Sequence, residues 1–107
     1  MTKGDIVLVS FPFTDALGAK NRPAIVLVET EFDTTVCFLT SKTKWSEEYD
    51  VTISPTPTNG LKKQSLARVT KIATLDKELI LGRLGSLDAK IILDINKSLI
   101  KAFKLDI

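Results

Sequence analysis

An arginine opens an apolar, β-branched run in Asn21-Arg22-Pro23-Ala24-Ile25-Val26-Leu27-Val28, and that cation is where chemistry is first looked for. Pro23 has no N–H and steers the residue before it to extended backbone. Arg22 is therefore expected at the first rung of a strand, aimed out of the end of a sheet. A guanidinium fixed in that way is a fork for phosphate or carboxylate oxygens. Taken alone, the octet also reads as an arginine that merely solvates a strand end. A second dense run, Thr34-Thr35-Val36-Cys37-Phe38-Leu39-Thr40, turns abruptly polar at Ser41-Lys42-Thr43-Lys44. An antiparallel hairpin made from the two runs would set Arg22 beside Thr40.

Composition narrows what such a pair could do. The chain contains no histidine, so metal ligation would fall to carboxylates alone and acid/base work would lack its usual side chain. Glu47-Glu48 is the one adjacent pair of carboxylates, and a solvated turn explains it better than a metal site; no cofactor is expected. Cys37 is the single cysteine, which rules out an internal disulfide and reads as core filler. There is no phosphate-cradling glycine loop, no nucleophile elbow and no paired-cysteine zinc pattern. Net charge is only +2. A polyanion partner is thus not announced by bulk charge, although Lys20, Arg22, Lys42, Lys44, Lys62, Lys63 and Arg68 could form one positive face or equally be solvated loop residues.

The elements that must position these groups follow from patterning. At 107 residues the chain should form a single domain, residues 1–107, small enough to benefit from dimerisation. No run is long enough to cross a membrane and Met1-Thr2-Lys3-Gly4-Asp5 has no signal-peptide character, so a cytoplasmic protein is expected. Gly4 to Ser10 suits a strand buried on both faces, and the stretch from Phe11 to Asn21 suits a loop. Strands are expected from about Pro23 to Glu29, Thr34 to Thr40, Tyr49 to Ser54, Ser65 to Val69 and Glu78 to Gly85, with Lys71 to Asp76 irregular. Trp45 could stack a base or form a lid over the core. Ser86 is the expected cap of a closing helix, in which Ile91, Ile92, Ile95, Leu99, Ala102 and Phe103 recur at three- and four-residue spacing.

The order of segments resembles the PemK/MazF-like toxins of bacterial toxin-antitoxin systems over nearly the whole chain. The resemblance is carried by Gly4-Asp5-Ile6-Val7, Phe11-Pro12-Phe13-Thr14-Asp15, Asn21-Arg22-Pro23-Ala24-Ile25-Val26-Leu27, Leu39-Thr40-Ser41, Gly60-Leu61-Lys62-Lys63-Gln64-Ser65 and Gly82-Arg83-Leu84-Gly85. It implies a mainly β fold with a C-terminal helix, a small SH3-like barrel, and a homodimer that cuts single-stranded RNA without a metal and is held in check by a cognate antitoxin. The family's catalytic arginine and threonine fall on Arg22 and Thr40. Its first loop, here roughly Phe13 to Asn21, implies RNA-binding roles for Phe13, Thr14, Lys20 and Asn21, and the antitoxin covers the same loop. Ser41, Lys42, Gln64 and Ser65 complete the implied substrate contacts. Gln64-Ser65 departs from the commoner acidic residue before the serine, which bears on base preference.

Metal-free RNA cleavage needs a 2′-hydroxyl to attack phosphorus, charge to be stabilised on the phosphoryl oxygens and the departing 5′ oxygen to be protonated. Arg22 suits the second task, with Thr40 and Ser41 as hydroxyl donors. An arginine is a poor proton acceptor at neutral pH, so the base stays unassigned; Asp15 is a candidate if the loop folds inward, but a turn residue explains it better. Two other readings share the architecture: a non-catalytic toxin resembling the CcdB gyrase poisons, and a barrel that only binds RNA or a protein. The CcdB-like poisons depend on a tryptophan near the chain end, where this sequence has Ala102-Phe103-Lys104-Leu105-Asp106-Ile107.

Overall fold

β-Branched and apolar residues dominate six segments that pair into one antiparallel sheet in the computed structural model, which describes residues 1–12 and 19–107. The strands are β1 (Asp5–Pro12), β2 (Ala19–Glu29), β3 (Asp33–Thr40), β4 (Val51–Ile53), β5 (Ser65–Asp76) and β6 (Ile80–Ser86), and one helix, α1 (Ala89–Phe103), follows them. Their order across the sheet is β4-β5-β3-β2-β1-β6. Short 3₁₀ turns at Thr43–Trp45 and Lys77–Leu79 complete the regular structure among the described residues.

Both faces of the central strands are buried, which is why β1 to β3 read as almost unbroken apolar runs. Ile6, Ile25, Cys37, Leu39, Ala67 and Val69 face one way and meet Ile95, with Ile91, Ile92 and Leu99, from α1. Val7, Val9, Ala24, Val26, Val36 and Leu75 face the other way and are flanked by Phe11 and Phe38. The period of two along each strand sorts the two sets, so residues of equal parity in β2 and β3 share a face.

Two sequence expectations about the elements are corrected. Lys71 to Asp76 is not irregular, since β5 runs unbroken to Asp76; Val69, Thr70 and Lys71 bulge out between the rungs Arg68↔Phe38 and Ile72↔Cys37, and the slip of phase hides the strand pattern. The helix cap is Asp88, whose Oδ1 accepts the Ile91 N–H at 3.0 Å. Ser86 is still extended, and its N–H goes to the Thr58 carbonyl at 2.9 Å.

The sheet does not close into the expected barrel. Edge strands β4 and β6 share no rungs among the described residues; the turn after β4 bridges them instead. Pro55 and Pro57 in that turn have no N–H to extend a ladder. Asn59, only 2% exposed, pins it by accepting from the Thr56 and Leu61 amides and donating to the Ser54 carbonyl. A Cβ on Gly60 would lie 2.2 Å from the Leu84 carbonyl oxygen, and one on Gly85 would lie 2.5 Å from that of Thr58. The seam is therefore backbone against backbone.

Candidate active site

The middle of the sheet is forked. At Ala24 and Ile25 β2 pairs with both neighbours, beyond them towards Glu29 its rungs are with β3, and over Ala19–Pro23 it pairs with β1 alone. Pro23, with no N–H to offer, sits at the point of divergence. Beyond the last β2–β3 rung, Ala24↔Phe38, strand β3 continues against β5 through Leu39↔Ala67 and Thr40↔Leu66. Between the two arms lies an open hollow of about 250 Å³, walled by Lys20, Asn21, Arg22 and Pro23 on one arm, by Leu39, Thr40, Ser41 and Lys42 on the other, and by Ser65 of β5.

Arg22 and Thr40 are brought together in this fork. The rungs Ala24↔Phe38 and Ile25↔Cys37, continued at the same register, set Arg22 level with Thr40. Both have the parity of Ala24 and Phe38 and so belong to the face opposite α1. Arg22 is not at the first rung of its strand, as the sequence suggested, but within it, opposite Val9 of β1. The small and polar residues before it carry no strand pattern, and their pairing with β1 is what extends them. Thr40 Oγ1 accepts the Lys42 N–H at 3.1 Å.

The other residues singled out from the sequence divide into three groups. Lys20, Asn21, Ser41, Lys42 and Ser65 line the same hollow. Ser65 is buried and its hydroxyl donates to the Lys63 carbonyl at 3.1 Å, whereas Gln64 is exposed beside it and is not part of the wall. Phe13, Thr14 and Asp15 lie outside the described residues. Among the described residues the wall carries three cations, Lys20, Arg22 and Lys42, and no carboxylate, which suits an anionic ligand. The described residues also hold no group of three or more His, Cys, Asp or Glu able to bind a metal.

Arg22 lines a second hollow as well, of about 280 Å³, with Phe11, Phe38 and Lys71. Phe11 and Phe38 meet edge to face, with centroids 5.3 Å apart. Sequence reasoning missed this space because Lys71 belongs to the bulge of β5; the parity shared by Phe38 and Thr40 was the available signal.

Arg68 leaves the expected positive face. Its guanidinium donates to Glu47 Oε1 at 2.9 Å, to Asp50 Oδ2 at 3.2 Å and to the Trp45 carbonyl at 2.9 Å, so it is neutralised and clamps the chain that follows β3. The lid reading of Trp45 fails too, because its side chain covers no core and the residue is 70% exposed.

A family model described as "PemK-like, MazF-like toxin of type II toxin-antitoxin system" matches residues 2–103. None of the curated proteins matches the chain. Among solved structures, an endoribonuclease in complex with its cognate antitoxin from a mycobacterial species superimposes with a TM-score of 0.78 at 18% identity, covering 98% of this chain and 96% of that one. MazF from Deinococcus radiodurans gives 0.76 at 20% identity, with 97% and 96% covered. The Mycobacterium tuberculosis toxin MazF-mt6 gives 0.72 at 18%, with 92% and 96% covered. At such identities the superpositions speak for the fold.

Proposed function

The chain belongs to the PemK-like, MazF-like toxins of type II toxin-antitoxin systems, and we propose that within this family it is a metal-independent endoribonuclease acting on single-stranded RNA. The observation that carries the reading is the meeting of Arg22 and Thr40 across one open, cationic fork. A solved protein of the same fold is an endoribonuclease.

In the reaction, the 2′-hydroxyl oxygen forms a bond to the adjacent phosphorus as the bond to the 5′ oxygen breaks. The 2′ proton leaves to a base that is not assigned, and the departing 5′ oxygen is protonated. Negative charge grows on the two non-bridging oxygens. The Arg22 guanidinium binds them more tightly as that charge grows, which lowers the barrier rather than merely holding the substrate. Thr40 donates its hydroxyl proton to the same group, and Lys20 and Lys42 hold flanking phosphates. Asn21, Ser41 and Ser65 offer polar contacts along the wall, and Phe13, Thr14 and Gln64 are further candidates for contact with the RNA.

The protein is expected to work as a homodimer and to be silenced by a cognate antitoxin, the partner seen with the mycobacterial endoribonuclease. No helix among the described residues is long and apolar enough to cross a membrane.

The test is incubation of pure protein with a long unstructured RNA in excess chelator, followed by mapping of the ends. Cleavage should persist and leave 2′,3′-cyclic phosphate and 5′-hydroxyl termini. Ends bearing 3′-hydroxyl groups, or loss of cutting with chelator, would overturn the mechanism.

A further inference from the structure

We propose that Trp45 is a stacking platform for a nucleobase of the bound RNA, extending the substrate track beyond the fork; this rests on the nuclease reading. A large aromatic in a small domain ordinarily serves the core. Here it is 70% exposed, and burial does not account for it.

Its position is set from the face of the sheet that bears Arg22 and Thr40. Arg68 is paired with Phe38, has the same facing, and hydrogen-bonds the Trp45 carbonyl at 2.9 Å. The same guanidinium is tied to Asp50, whose side chain is only 5% exposed and whose carboxylate accepts the Glu47 N–H at 2.7 Å. The backbone that carries the indole is thus clamped from both sides, and ordering it on binding costs little further entropy. Only two residues separate Trp45 from Lys42 in the wall of the hollow, so the backbone that carries the indole lies within about 11 Å of it along the chain.

The chemistry at the platform favours RNA over an apolar partner. The Lys44 ammonium stands 5.4 Å from the ring centroid, within cation–π range, and polarises one face of the indole. A strand whose phosphates run past Lys42 and Lys44 presents bases at the level of the ring, and an indole stacks any of them because each has a π-face. Stacking at this point would not choose the cleavage sequence; it would fix where the strand leaves the fork.

Trp45 is the sole tryptophan of the chain, so its emission reports on the site directly. The experiment titrates the full protein with a mixed-sequence oligoribonucleotide that carries 2′-O-methyl groups and cannot be cut, and with the same backbone made abasic. Quenching by the first and not by the second is expected, with affinity about 5- to 150-fold weaker in Trp45→Ala and largely restored in Trp45→Phe. Equal quenching by the abasic strand would mean that the lysines alone bind, and would overturn the proposal. So would unchanged emission with binding intact, or emission that changes with protein concentration in the absence of RNA, which would put a second copy on the ring. Should the wild-type protein cut no RNA at all, the nuclease reading fails on its own, and the emission titration still decides the stacking.

Discussion

The Thr40 hydroxyl oxygen accepts the Lys42 backbone N–H at 3.1 Å, across the point where β3 ends and the loop begins. That bond orients the hydroxyl and leaves its proton to be given to whatever occupies the fork. It also ties Lys42 to the same wall, so a hydroxyl donor and a cation are presented together opposite Arg22.

Arg22→Ala should lower RNA cleavage by at least about 10²–10³, the loss typical of a missing oxyanion donor. The variant should still unfold in one cooperative transition in urea, so that the loss is read on folded protein. Cleavage at the wild-type rate in a folded variant would remove Arg22 from the chemistry.

Thr40→Val keeps the shape of the side chain and deletes the hydroxyl. A loss smaller than that of Arg22→Ala is expected in single-turnover rate, since one neutral donor is removed and the guanidinium remains. An unchanged rate would assign the hydroxyl to the Lys42 turn alone.

Gly85→Ala puts a Cβ 2.5 Å from the Thr58 carbonyl oxygen, where backbone must move to accept it. Stability in urea should fall by about 2 kcal/mol or more. Activity per folded molecule should be unaffected, because the fork is built by other strands. A neutral effect would mean that the seam is looser than its geometry.

Burial pushes the Cys37 thiol up to about 12. The unfolded chain releases that proton at lower pH than the native state does, near the ordinary thiol value of about 8.5. Below that value the contribution to stability is complete, and it is lost as pH rises towards about 12. Unfolding curves at successive pH values should therefore show a fall of up to about 1.4 kcal/mol per pH unit in this window. In Cys37→Ala that component should vanish. The native thiol should also resist thiol reagents until the chain unfolds.

How much of this was legible in the sequence depends on where phase is kept. In β1, β2 from Pro23 and β3, dense apolar runs joined by a polar turn fix a hairpin, and the hairpin alone brings Arg22 near Thr40. Before Pro23 the chain is polar and small, so its pairing with β1 could not be read and Arg22 was assigned to the strand's end. The bulge at Val69, Thr70 and Lys71 breaks the alternation of β5, which hid both the second half of that strand and the hollow behind Arg22. Ser86 and Asp88 are both good caps by type, and the hydrogen bonds from Ser86 to Thr58 and from Ile91 to Asp88 decide between them. Arg68 looked like one more surface cation because its acidic partners, Glu47 and Asp50, come from a different stretch of chain.

The order of strands gives the glycine seam a mechanical meaning. β4 and β6 are the first and last members of the sheet, while β3 and β2 are its middle pair. Where the turn after β4 meets β6 the contact rests on one amide and two bare α-carbons, with β5 or β1 standing between it and the strands that hold the threonine and the arginine. A side chain added at that junction would therefore press first on the rim, and would reach the arginine and the threonine only through an intervening strand.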